Sequence, residues 1–183
     1  MRILLIRHGK AFERDAAAWP DDLRRPLTEE GREEFAKCAK RLKRIEGKVD
    51  QVLSSPAVRA WQTAQILAER AGWPEPVRSD ILLPVEDPVA APSAGVSVTT
   101  SVSPAKRVAE WAQLLAAVGE DATVAWVGHE PTMGSMASWL LTGEPGRANI
   151  RCKKGSVIAI DRERGFSSLA WMITPGLLRS IER

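Results

Sequence analysis

A chain of 183 residues, 44% hydrophobic and 27% charged, has the composition of a globular protein and excludes collagen-like, disordered and membrane-embedded classes. Its length suits a single domain, residues 1–183, around one substantial core. Twenty-six Lys and Arg against twenty-three Asp and Glu leave a net charge of only +3, short of a nucleic-acid footprint.

No apolar run reaches the eighteen or so residues of a membrane span, and Met1-Arg2-Ile3-Leu4-Leu5-Ile6-Arg7 meets a charge too early for a signal-peptide core. A cytoplasmic protein without nucleic-acid or membrane partners is the expectation. Cys38 and Cys152 lie far apart without metal-ligand spacing and are expected to be reduced, partly buried thiols.

In chain order, Ile3-Leu4-Leu5-Ile6 reads as a buried strand whose C-terminal end opens into a loop at Arg7-His8-Gly9. A helix is predicted from about Glu29 to Glu46, with Thr28 as N-cap and Gly47 as stop. The basic residues Lys37, Lys40, Arg41, Lys43, Arg44 and Lys48 are interleaved with Phe35, Ala39, Leu42 and Ile45 at helical spacing, as on a solvated face. Val49 to Leu53 reads as a second strand. Ser55 then suits an N-cap and Pro56 a first helical position, and the periodicity from Ala57 to Ala71 ends at Gly72.

Val77 to Leu83 is a weaker extended segment, and Pro88 to Ala105 carries no charge at all, as a long loop or arm in which Val96, Val98 and Val102 allow a short strand. A helix from Ala105 to Val118, a strand from Ala122 to Val127 and a helix from Thr132 to Leu141 follow. Strands at Val157–Ile160 and Leu169–Ile173 close the pattern around the turn Asp161-Arg162-Glu163-Arg164-Gly165. Alternating strands and helices imply an α/β fold, a three-layer sandwich with a mostly parallel central sheet flanked by helices and an antiparallel edge. Seven tryptophans lie mainly on apolar stripes and are expected in the core, apart from Trp19 in the loop after Gly9.

The chain has two histidines, His8 and His129, and both follow predicted buried strands, where open α/β sheets place their ligands. Arg7 sets a permanent cation beside a potential nucleophile, and Gly9 would let the backbone approach a ligand. Arg59 falls in the first turn of a helix, where free N–H groups and the dipole favour an anion. Two histidines without a third ligand at suitable spacing make a poor zinc site, so no metal or other cofactor is expected.

Arg7-His8-Gly9, Asp22 with Arg25-Pro26-Leu27-Thr28 and Gly31, Ser54-Ser55-Pro56 with Arg59-Ala60 and Gln62-Thr63-Ala64, and Gly128-His129 together resemble the histidine phosphatase superfamily, also called phosphoglycerate-mutase-like. The spacing is most similar to the small SixA-type phosphohistidine phosphatases. The resemblance implies a His8 nucleophile in a phosphate pocket made by Arg7, Arg59 and His129. Such chemistry needs cations on the equatorial oxygens of the transferred group, which arginine forks supply, and it proceeds through a phosphohistidine that water hydrolyses.

Larger relatives protonate the leaving group with a carboxylic acid in one of two places, corresponding here to Glu86 and Asp87 or to Glu130. Glu130 could equally be a carboxylate that satisfies free N–H groups at a helix start. Asp15, Asp21 and Asp22 read as structural or solvated. The resemblance implies a phosphorylated protein or a small phosphorylated compound as partner. The expected activity is dephosphorylation of phosphohistidine in a signalling protein, with small phosphate esters or diphosphates as the alternative substrates. A catalytically inactive phosphate- or phosphoprotein-binding module is the alternative from another class, and a mutase is disfavoured by the short chain.

Overall fold

The computed structural model describes residues 1–84 and 103–180. Six strands form one sheet in the order β3-β2-β4-β1-β5-β6. They are β1 (Arg2–Arg7), β2 (Gln51–Ser54), β3 (Val77–Arg78), β4 (Thr123–Gly128), β5 (Val157–Glu163) and β6 (Phe166–Ile173). β1, β4, β2 and β3 run parallel, while β5 pairs antiparallel with β1 and continues through a hairpin into β6. The sandwich and its antiparallel edge are therefore as the sequence pattern implies.

The helices are α1 (Glu29–Ile45), α2 (Val58–Ala71), α3 (Pro104–Ala116), α4 (Thr132–Thr142) and α5 (Pro175–Ser180). Strand alternation divides the core into two layers. Leu4, Ile6, Val52, Ala125, Val127, Val157 and Ala159 pack against Phe35, Leu42, Ala64 and Leu67 of α1 and α2. Ile3, Leu5, Val124, Trp126, Ile158 and Ile160 pack against Trp111 of α3 and Met133, Met136 and Leu140 of α4. Each of these central strands is apolar on both faces, which is why it reads as a continuous hydrophobic run.

The expected boundaries move where side chains compete with helix signals. The Thr28 hydroxyl caps α1 by accepting from Gly31 N–H at 3.0 Å. α2, in contrast, starts at Val58 behind an N-cap Ala57 that makes no side-chain bond, two residues later than Ser55-Pro56 suggests. The extended segment after α2 is strand only at Val77–Arg78 and then turns through a 3-10 helix at Asp80–Leu82. The C-terminal hairpin is longer than predicted, and α5 is additional. Of the tryptophans, Trp73, Trp111 and Trp126 are buried, Trp61 lies under the Arg78 guanidinium at 4.3 Å, and Trp19 meets Phe12 in the loop after β1. Most of the uncharged arm, together with Glu86 and Asp87, lies outside the described residues. No helix among the described residues is long and apolar enough to cross a membrane.

Candidate active site

β2, β4 and β1 are parallel neighbours, so their C-terminal ends open on one side of the sheet. Backbone bonds carry the ladder one residue past each strand: His8 N–H donates to the Gly128 carbonyl at 3.0 Å, and Ser55 N–H to the Val127 carbonyl at 2.9 Å. The segment before β5 closes the other flank, where Gly155 N–H donates to the carbonyls of Arg7 and His8 at 3.1 and 2.9 Å. The histidines that are 121 residues apart in the chain thus meet, with ring centroids 5.1 Å apart and planes inclined by 55°.

His8 is buried, and its Nδ1 lies 2.7 Å from the Gly9 carbonyl oxygen. A carbonyl only accepts, so this contact assigns the proton to Nδ1 and leaves the Nε2 lone pair free. Burial, followed by the charges of Arg59, Arg7 and Arg25, pushes the imidazole down to about 3, so it is neutral at physiological pH. His129 is fully enclosed and is held well below the ordinary histidine range, first by burial and then by His8 and the same arginines. Its Nε2 shares a 2.9 Å hydrogen bond with the Ser55 hydroxyl, while Nδ1 is buried without a partner.

The two arginines are held in the same manner. Arg7 donates from Nη1 to the Cys152 carbonyl at 2.8 Å, and Arg59 donates from Nη1 to the Asp22 carbonyl at 2.6 Å. Each Nε is buried and has no partner among the described residues. Burial lowers both, Arg59 to about 10, yet each remains a cation near neutral pH. Three buried polar atoms, Arg7 Nε, Arg59 Nε and His129 Nδ1, thus have no partner among the described residues, in side chains that neighbour or act electrostatically on the neutral His8 imidazole. Buried polar atoms are ordinarily satisfied, and an anion with several oxygens would satisfy these.

Gly9 contributes to the site through its backbone. A Cβ there would make only ordinary contacts, with Leu27 and Phe35 at 3.5 Å. Its carbonyl fixes the His8 tautomer, and its N–H donates to the Thr63 hydroxyl at 3.0 Å, which in turn donates to the Arg59 carbonyl at 2.7 Å.

Glu130 lies at the site, but both its oxygens are committed to backbone amides: Oε1 accepts from Cys152 N–H at 3.0 Å and Oε2 from Gly134 N–H at 3.2 Å. Burial raises its pKa, against the pull of these two bonds and of Arg7. Of the two uses open to Glu130 in the sequence, the helix-start carboxylate matches these bonds. Gly134 makes the arrangement feasible, since a Cβ there would sit 2.2 Å from the Ile150 carbonyl oxygen. Cys38 and Cys152 are buried free thiols raised by burial to about 11 and about 12, which leaves them protonated and unreactive.

Four contributors carry no site role in the sequence reading, although Ser55, Thr63 and Asp22 stand among its motif residues. The Ser55 hydroxyl shares a hydrogen bond with His129 Nε2 and also accepts from Ala57 N–H at 3.3 Å just ahead of α2, and Thr63 bridges Gly9 to Arg59. The Cys152 carbonyl orients Arg7 through the backbone, which leaves no trace in side-chain identity. Asp22, read as structural or solvated, bonds both Arg25 and Arg59.

A family model described as histidine phosphatase superfamily (branch 1) matches residues 3–83. An uncharacterized protein of Picosynechococcus sp. is 30% identical over 160 residues, spanning 87% of this chain and 84% of that protein. Among solved structures, the protein histidine phosphatase SixA complexed with tungstate is similar with a TM-score of 0.75 at 24% identity, covering 97% of this chain and 99% of that one. A mycobacterial glucosyl-3-phosphoglycerate phosphatase with inorganic phosphate is similar with a TM-score of 0.68 at 20% identity, covering 95% and 98%. With its two motif histidines and two motif arginines gathered at the C-terminal ends of β1, β2 and β4, the chain belongs to the histidine phosphatase superfamily.

Proposed function

We propose that this protein is a metal-independent phosphatase that works through a phosphohistidine on His8, and that its substrate is phosphohistidine in another protein. The observation that carries the catalytic reading is the neutral His8, its Nε2 lone pair free, beside Arg7, Arg59 and His129, each with a buried nitrogen unpartnered among the described residues. In the first step His8 Nε2 attacks phosphorus in line, and the bond from phosphorus to the leaving nitrogen or oxygen breaks as the new P–N bond forms. Water then attacks the same phosphorus, the bond to His8 breaks and inorganic phosphate is released. Arg7 and Arg59 neutralise the charge on the equatorial oxygens. A Ser55 hydroxyl that donates to His129 Nε2 would leave the His129 proton on Nδ1, aimed at the same group.

The substrate reading rests on Glu130. An alkoxide leaving group needs a proton, whereas an imidazole is stable at neutral pH and needs little help. A carboxylate committed to two backbone amides suits the second kind of substrate. The fold-level likeness to a glucosyl-3-phosphoglycerate phosphatase favours small esters as the second reading.

The test is turnover of a phosphohistidine protein beside a panel of sugar and nucleotide phosphates, with chelator present. Phosphohistidine is expected to be the fastest substrate, and faster ester turnover would overturn that assignment. Labelled phosphodonor is expected to leave acid-labile, base-stable phosphate on His8. Reversible binding with no covalent label would make the protein a phosphate- or phosphoprotein-binding module, and loss of all activity with chelator would overturn the metal-free mechanism.

A further inference from the structure

Asp22 makes two contacts to one guanidinium. Its carbonyl accepts from Arg59 Nη1 at 2.6 Å and its carboxylate from Arg59 Nη2 at 3.0 Å, so a single residue grips the outer end of Arg59 through backbone and side chain together. The edge that remains is the one bearing the unpartnered Nε.

Asp22 is itself held. Arg25 donates from Nε to Oδ1 at 2.8 Å and reaches Oδ2 from Nη2 at 3.4 Å, and its Nη1 is tied to the Phe12 carbonyl at 2.6 Å. Arg14 stands 3.5 Å from the same carboxylate. Burial works to raise the Asp22 pKa, but the Arg25 hydrogen bonds and the charges of Arg59, Arg25 and Arg14 outweigh it, and the group is held below the ordinary carboxylate range. It is therefore ionised and unsuited to giving a proton, and its place is behind Arg59.

We propose that Asp22 is a positioning residue for phosphoryl transfer, which clamps the Nη end of Arg59 and so presents the Nε edge to the phosphoryl oxygens. A free arginine side chain carries considerable rotamer entropy, and a clamp made before substrate arrives removes that cost from the transition state. This proposal rests on the phosphate pocket argued above.

The experiment is a double-mutant cycle of Asp22→Ala and Arg59→Ala, read on turnover and, by calorimetry, on binding of orthovanadate. If Asp22 acts through Arg59, Asp22→Ala slows turnover roughly ten- to a hundredfold in the wild-type background and by less than about threefold once Arg59 is gone. Multiplying effects in the double variant would overturn the clamp. Asp22→Asn, whose amide oxygen can still accept from Arg59, is expected to retain turnover within about fivefold, whereas a loss as large as that of alanine would overturn it.

Asp22→Ser repeats the cycle should the alanine variant fail to fold. A wild-type protein that binds orthovanadate without turning over any phosphate would sink the phosphatase reading while the binding cycle still decides the clamp. Absence of orthovanadate binding would overturn both.

Discussion

Replacing Glu130 by Gln changes one charge and nearly no volume, and the structure specifies its consequence. The carboxylate accepts from Gly134 N–H on one oxygen and Cys152 N–H on the other, whereas an amide can accept on one side only and turns an NH2 toward the remaining donor. One buried N–H then loses its partner at a cost of about 1–3 kcal/mol, and lost charge at the start of α4 adds about 0.3–1 kcal/mol. Because burial raises the Glu130 pKa, a neutral side chain also relieves some desolvation. The net expectation is about 1–3 kcal/mol of destabilisation, or roughly 3–10 °C in melting temperature for a chain of this size.

Cys152 also carries the carbonyl that orients Arg7, so loosening its segment should slow every substrate by a similar factor, roughly tenfold. The assay compares alkyl phosphates, aryl phosphates and phosphohistidine in parallel with calorimetric melting. Alkyl esters slowed by two to four decades, with the other substrates and the melting temperature unchanged, would refute the reasoning and make Glu130 the leaving-group acid.

Arg59→Ala should preserve the fold and slow turnover by about two to three decades, since one charged donor to the transition state is removed; turnover within tenfold of wild type would take Arg59 out of the pocket. The His8 pKa lies below its unfolded value, so between about pH 6.5 and pH 3 the unfolded chain binds the extra proton and stability falls as the pH is lowered. His8→Gln should remove about 1 kcal/mol per pH unit of that slope, measured by denaturant unfolding in phosphate-free buffer, and superimposable curves would show His8 to be ordinarily solvated. Gly134→Ala forces the Ile150 carbonyl away from α4 and should lower both the melting temperature and turnover; a variant unchanged in both would mean that this segment moves freely.

The fold was legible wherever one side of an element decides its fate. Ile3 to Ile6 and Ala122 to Val127 are apolar on both faces because two helical layers cover them, and such runs have few readings besides a central strand. The start of α2 differs because the Ser55 hydroxyl accepts from Ala57 N–H in a turn ahead of the helix and also meets His129 from another strand, so a serine before a proline does not fix where the helix begins. At the site, His8, His129, Arg7 and Arg59 were singled out by position at strand and helix ends together with the motifs that resemble the family, and the structure brings the two histidine rings within 5.1 Å. Asp22 did not, because acidic loop residues are usually solvated and its partner Arg59 is 37 residues away. The Cys152 contribution is a carbonyl, and every residue has one.

β1 lies between a parallel neighbour and an antiparallel one, and the bonds from Gly155 to Arg7 and His8 tie the first strand of the chain to the segment leading into its last hairpin. Pairings of such long sequence separation form late and slowly when a chain folds. Because β1 joins β4 to β5, the sheet is continuous only once these pairings form, and recovery of the proposed activity is expected not to precede recovery of far-ultraviolet circular dichroism. The proposed activity would accordingly report the closure of the sheet around β1, and a chain truncated before the hairpin is expected to carry the motif residues without an assembled site.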